Sequence, residues 1–236
     1  AQKISSWDPY DQNASSSWFD SEWVFGIESG FDIVIGNPPY VEFKKLPAEQ
    51  KVKLSNYASA KGKYDIYVIF DERAYALLKE GGSLCFIHPT TFMKKDFGEA
   101  IRKFINQNFK IKSILDFADI QVFQGATNYT GVFLFMKSKL SSDYEFAYHQ
   151  YFNSGSSISV SDFQNSLTDT TSSSIKCFLP IKSLELEKSE WNFQNDSINY
   201  LLSKFAVDTK PLLEITESIF QGIASGKDEV FYVNED

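Results

Sequence analysis

Cysteine and histidine are scarce, two of each in 236 residues. Cys85 and Cys177 are too few and too far apart for a disulfide framework or a thiolate metal site, so free buried thiols are expected. His88, alone at a predicted strand end before Pro89, reads as a satisfied structural histidine rather than a catalytic base. No apolar run approaches the roughly 18 residues of a membrane span, and no charged-then-apolar leader opens the chain, which reads as cytoplasmic. Glycine-rich stretches are confined to Gly81-Gly82 and Gly222 to Gly226, neither of which stands where a phosphate-cradling strand-to-helix turn would precede the first strand.

What is present is globular: 43% hydrophobic and 16% aromatic residues, in a chain long enough for one good core and part of another. The formal charge of −8 is unevenly spread. Residues 37–139 carry 16 basic against 10 acidic side chains, and the remainder carries 7 against 21. Lys44, Lys45, Lys51, Lys53, Lys61 and Lys63 cluster early in the basic segment, where they fit either a phosphate path or a solvated helix face.

The stretch that organises the rest is Phe31 to Tyr40, Phe-Asp-Ile-Val-Ile-Gly-Asn-Pro-Pro-Tyr. Phe31 and Ile33 to Ile35 predict a short buried strand, ended abruptly by Gly36 and two prolines. Proline fixes φ and lacks an N–H, so Pro38 and Pro39 make a stiff arm beyond Asn37. An amide oxygen and a main-chain carbonyl converging on one donor, with the Tyr40 ring beside them, suit a planar molecule bearing an exocyclic amine. An ordinary Pro-Pro turn, with Asn tolerated there and Tyr as packing, is the competing reading.

With these residues stand Lys63 to Phe70 (KYDIYVIF), Gly81 to Pro89 (GGSLCFIHP), and Val122-Phe123 ahead of Tyr129 to Met136. Over about residues 20–137 the sequence resembles the amino-methyltransferases that methylate the exocyclic amine of adenine in DNA, and more narrowly the methylase part of type II (IIG-like) restriction-modification enzymes. The resemblance implies an α/β fold: the C-terminal part of a Rossmann-like methyltransferase sheet with an antiparallel hairpin edge, then a connector and the start of a target-recognition domain. It implies S-adenosylmethionine as cofactor, with the main binding loop absent from this chain. It also implies double-stranded DNA as partner, together with upstream methyltransferase and possible nuclease portions.

The site residues follow from it: Asn37, Pro38 and Tyr40 as catalytic, Pro39, Phe123, Lys44 and Lys45 against the substrate, and Tyr64 and Asp65 toward the cofactor. For Asp65 helix N-capping, for Tyr64 packing, and for Phe123 a loop anchor are the plain alternatives. No metal is required.

In chain order, residues 1–30 read as a loop-rich lead-in packed by Trp7, Trp18, Phe19, Trp23 and Phe25. Residues 64–79 predict a helix with Ile66, Ile69, Phe70, Ala74, Leu77 and Leu78 inward and Asp71, Glu72 and Arg73 outward, stopped by Gly81-Gly82. Strands are expected over 83–88, 111–115 and 129–136, and a helix over 96–106. The last two strands, joined without a helix, predict an antiparallel pair. The expected division is 1–139 as a partial catalytic domain, 140–210 as a connector with an extra strand around 145–152 and a helix at 198–205, and 211–236 as the beginning of target recognition. A protein-glutamine methyltransferase and a non-catalytic DNA-binding or scaffold fragment are the alternative functions. About 100 residues beyond the hairpin weigh against the first.

Overall fold

The computed structural model describes residues 21–118, 120, 122–123, 129–138, 143–151 and 175–193, with residues 8, 10, 201, 204–205, 209–210 and 212–217 as isolated pieces. Expectations on Trp7, Trp18, Phe19, most of residues 198–205 and nearly all of 211–236 lie outside these residues. The chain divides into two compact units, Ala1–Phe193 and Gln194–Asp236. In the second, a short helix spans Leu212–Ile215.

The first unit is built on a six-stranded sheet: β1 (Phe31–Gly36), β2 (Leu78–Pro89), β3 (Phe109–Asp116), β4 (Thr130–Lys137), β5 (Glu145–Tyr151) and β6 (Ile175–Lys182), in the order β1-β2-β4-β3-β5-β6. β1 and β2 pair parallel, as do β3 and β5; β4 runs antiparallel to both β2 and β3, and β6 antiparallel to β5. The expected antiparallel pair is therefore β3 and β4, with β4 returning between β2 and β3. The sheet does not stop at residue 139, where the sequence places the end of the catalytic domain: β5 and β6 extend it.

Among the described residues the first unit also holds four α-helices: α1 (Ser21–Phe25), α2 (Ala48–Leu54), α3 (Tyr67–Leu77) and α4 (Glu99–Asn108). In α4, Ile101 and Ile105 are fully buried and Phe104 packs beside them, so the expected amphipathic face meets the core. α1 leaves Trp23 and Phe25 largely exposed, against the expectation of an aromatic-packed lead-in; the Phe25 ring meets Phe31 edge-on.

Helix α3 departs from its expected facing. Asp71 is buried and Phe70 is 38% exposed. Glu72, also read as outward, accepts the backbone N–H groups of Ala58 and Ser59 with its carboxylate. The exposed positions are Phe70, Arg73 and Ala76, so the outward stripe is rotated from the expected Asp71-Glu72-Arg73 face, and only Arg73 lies on both. Gly81-Gly82 does not stop the helix either: α3 ends at Leu77, and β2 starts at Leu78. The pair sits in a bulge, where the β1–β2 register jumps between Phe31/Leu78 and Ile33/Ser83. Gly81 has φ +76°, and a Cβ on Gly82 would lie 2.8 Å from the Phe31 carbonyl oxygen.

The core lies between the sheet and helices α3 and α4 and continues to Trp191 and Phe193. Trp191 is fully buried; its indole N–H donates to the Leu186 carbonyl and its backbone N–H to the Met93 carbonyl. On the opposite face, Ile33 and Ile35 of the outermost strand β1 are 65% and 76% exposed. Cys85 is a partly exposed free thiol rather than a buried one. Among the described residues no helix is long and apolar enough to cross a membrane, and no group of His, Cys, Asp and Glu could hold a metal ion.

Candidate active site

β1, β2 and β3 point the same way, so Gly36, Pro89 and Asp116 end them along one edge of the sheet, where ligands of α/β proteins collect. Asn37 leaves β1 at that edge with an exposed side chain; Pro38 is buried, Pro39 is exposed and Tyr40 is half-buried. The arm thus turns Asn37 outward rather than into the core.

Tyr40 is fixed from two sides. Its hydroxyl donates to the Ile87 carbonyl at 3.0 Å, and its ring meets Tyr67 edge-on with centroids 6.4 Å apart. Burial without a charged partner pushes its phenol up to about 12. The Phe123 ring stands 6.3 Å from Tyr40 at 64°. The two expected aromatic contacts therefore do converge, but edge to face rather than as parallel plates.

The segment after the arm doubles back onto the start of α3. Phe43 N–H donates to the Tyr64 carbonyl, Ile66 N–H donates to the Val41 carbonyl, and Glu42 and Asp65 form an isolated bridge. Asp65 is thereby brought close to the arm. No side-chain cap begins α3, so the capping reading of Asp65 is not what the structure shows. Its carboxyl is held above the usual range, first by burial and then by the Glu42 charge, with Lys45 opposing. Tyr64 is only 2% exposed and packs on Phe43, and its hydroxyl has no hydrogen-bond partner among the described residues. Its packing reading is realised.

The lysine cluster is largely occupied by neighbours. Lys44 and Lys45 pair with Glu42 at 2.7 and 3.1 Å, and Lys53 pairs with Glu49. Such exposed pairs contribute little stability and leave the cations available to a phosphate. Lys61 and Lys63 instead line a cavity of about 720 Å³ against α4, to which Asn37, Pro38 and Tyr40 do not contribute.

Sequence reasoning missed a buried pair beneath the arm. His88 lies between Tyr67 and Phe133, stacked at 4.8 and 4.3 Å, with Nε2 at 3.4 Å from Asp71 Oδ2. Its Nδ1 lies 3.2 Å from the Pro89 carbonyl. The structural role expected for His88 fits this arrangement. The signal for Asp71 was its position four residues after Tyr67 on a helix otherwise apolar at that spacing.

A mostly parallel α/β sheet with β4 reversed inside it and β6 reversed at its edge, and an Asn-Pro-Pro-Tyr arm leaving its carboxyl edge, is a Rossmann-like fold. The chain belongs to the Eco57I restriction-modification methylase family, whose model matches residues 2–123. It is 35% identical over 120 residues to the type II restriction enzyme and methyltransferase RM.Eco57I of Escherichia coli, covering 49% of this chain and 12% of that protein. It is 28% identical over 237 residues to the type II methyltransferase M.BstVI of Geobacillus stearothermophilus, covering 92% of this chain and 42% of that protein. The chain thus spans less than half the length of either curated relative. Among solved structures, the type IIG restriction endonuclease BpuSI shares the fold with a TM-score of 0.51 at 18% identity, over 68% of this chain and 20% of that one.

Proposed function

We propose that the chain carries the methyl-acceptor side of a DNA adenine methyltransferase that uses S-adenosylmethionine within a restriction-modification system. The observation that supports this reading is the arm itself: Asn37 exposed at the end of β1, with Tyr40 anchored behind it on Ile87 and Tyr67.

An adenine amine is a poor nucleophile because its lone pair is delocalised into the ring. The Asn37 side-chain oxygen and the Pro38 carbonyl accept its two hydrogens, favour a pyramidal nitrogen and stabilise the positive charge that develops there. The target base is inaccessible within a duplex and is extruded at a cost of a few kcal/mol. Stacking on Tyr40 and Phe123 returns roughly 1–3 kcal/mol per aromatic contact. Since the two rings now meet at 64°, Phe123 turns to lie parallel when the base enters.

The residues present fit one flank of a cofactor site: the open end of β1 at Asn37, and the Asp65 carboxyl on the segment that bridges back to Glu42. S-adenosylmethionine, when bound, supplies an electrophilic methyl group. The domain roles of residues 140–236, including the start of target recognition, and a fused nuclease belong to this proposal.

The test is methyl transfer by the protein that carries this chain, using duplexes whose target base is adenine or cytosine and a glutamine-bearing protein. Label found on the adenine exocyclic amine supports the reading. Label on cytosine or glutamine overturns it.

A further inference from the structure

A second cavity, of about 400 Å³, opens at the same carboxyl edge, beyond the ends of β2 and β3. It is lined by Thr90, Thr91, Lys94, Lys95, Asp116 and Tyr129, among others. The aromatic network of the arm reaches it: Tyr40 meets Tyr67, whose hydroxyl lies 3.3 Å from Thr91 Oγ1.

The wall that carries the lysines is built rigidly. Thr90 N–H donates to the Tyr129 carbonyl at 2.9 Å, and Trp191 N–H donates to the Met93 carbonyl at 2.8 Å. The Arg102 guanidinium, 5% exposed, donates to the Phe92 and Lys95 carbonyls from behind. Gly98 lies so close to Phe92 that a Cβ would fall on its carbonyl. From this fixed loop Lys94 and Lys95 project exposed, and among the described residues neither forms an ion pair. The Tyr129 ring opposite is 56% exposed. Asp116 is the acidic exception, and both its oxygens are engaged, one by Ala118 N–H and the other by the Tyr148 hydroxyl.

We infer that this cavity holds the nucleotide adjoining the extruded base, with its phosphate on Lys94 and Lys95 and its base or sugar against Tyr129. Two unpaired cations beside an exposed aromatic ring form the pairing that single-stranded nucleic acid recognises. The loop is already ordered, so little entropy is lost on binding. The inference rests on the DNA-methylating reading above, because that reading supplies the extruded strand.

The test uses this chain and a short single-stranded deoxyoligonucleotide with an abasic site at the target position, which removes the Asn37 contacts from the measurement. By fluorescence anisotropy, replacing both lysines (K94A/K95A) weakens binding about tenfold and lowers the salt slope by about 0.7, the share of the one phosphate they hold. Tyr129→Ala weakens binding by about fivefold or more. Lys188→Ala, at an exposed lysine paired with Glu185 elsewhere, leaves it unchanged. A photoreactive 5-iodouracil next to the abasic site crosslinks to Tyr129, whereas one placed several nucleotides away does not.

Unchanged affinity and salt slope in the lysine variant, crosslinking independent of position, or no binding by the native chain overturns the inference. Because the oligonucleotide has no target base, these outcomes are independent of which base is methylated.

Discussion

His88 Nε2 lies 3.4 Å from Asp71 Oδ2, and both side chains are closed to solvent. The imidazole is also the middle ring of a stack from Tyr67 to Phe133, and Tyr67 supports Tyr40. The pair therefore fixes the aromatic floor under the arm. Neither Asp71 carboxylate oxygen nor His88 Nε2 has a hydrogen-bond partner among the described residues, so His88→Leu leaves the Asp71 carboxyl buried against an apolar group and costs about 1–3 kcal/mol. Replacing both with apolar residues of similar size recovers much of that loss. Urea unfolding of the two singles and the double measures the coupling; strictly additive losses would contradict it.

Tyr40→Phe keeps the ring and removes the bond to Ile87, costing about 0.5–1.5 kcal/mol. The phenol is raised to about 12 in the folded protein, so the native state holds that proton more tightly than the unfolded chain does. Its contribution is complete below about pH 10 and is lost as the pH rises through about 12. The stability difference between native protein and Tyr40→Phe therefore narrows across that window, as urea midpoints at several alkaline pH values will show.

Asp65 carries the opposite implication at neutral pH. Its carboxyl is raised by burial and by Glu42, so keeping it ionised opposes folding. Asp65→Asn raises the melting temperature near pH 7. The gain disappears below about pH 4, where the aspartate is protonated in both states. If Asp65 serves the cofactor, the same substitution weakens S-adenosylmethionine binding, measurable by calorimetry.

Two backbone substitutions at the sheet edge act with opposite sign. Gly98→Ala forces a Cβ onto the Phe92 carbonyl and displaces the Thr90–Lys95 loop, lowering the melting temperature and weakening oligonucleotide binding together. Ala118 has φ +49°, a conformation that favours glycine. Ala118→Gly relieves that strain and raises stability by up to about 1 kcal/mol. Thermal melts of the two variants check both signs.

The arm was legible because proline and glycine restrict the backbone locally: Gly36, Pro38 and Pro39 end β1 whatever packs around them. The antiparallel pairing of β3 and β4 was legible from two apolar strands with no helix between them. The burial of Asp71 was not, because the apolar pattern leaves the phase of the outward stripe open and the packing sets it at Phe70, Arg73 and Ala76. β6 was hidden by Pro180, which demotes a strand reading; the structure places that proline in the sheet's last strand, where the ladder tolerates it. Gly81-Gly82 was read as a helix stop because the same residues serve a bulge, and only the proximity of Phe31 decides between the two. At the site, the orientation of Asn37 followed from the arm, whereas the engagement of Lys44 and Lys45 by Glu42 depends on side-chain placement that spacing does not specify.

The central claim is that Asn37 and the diproline arm accept the hydrogens of an extruded adenine amine. Single-turnover methyl transfer by the complete enzyme, compared between the native residue and Asn37→Ala on the same duplex, tests it most directly. The account predicts a rate lower by about 10²–10³-fold with DNA affinity essentially unchanged. An unchanged single-turnover rate would contradict it.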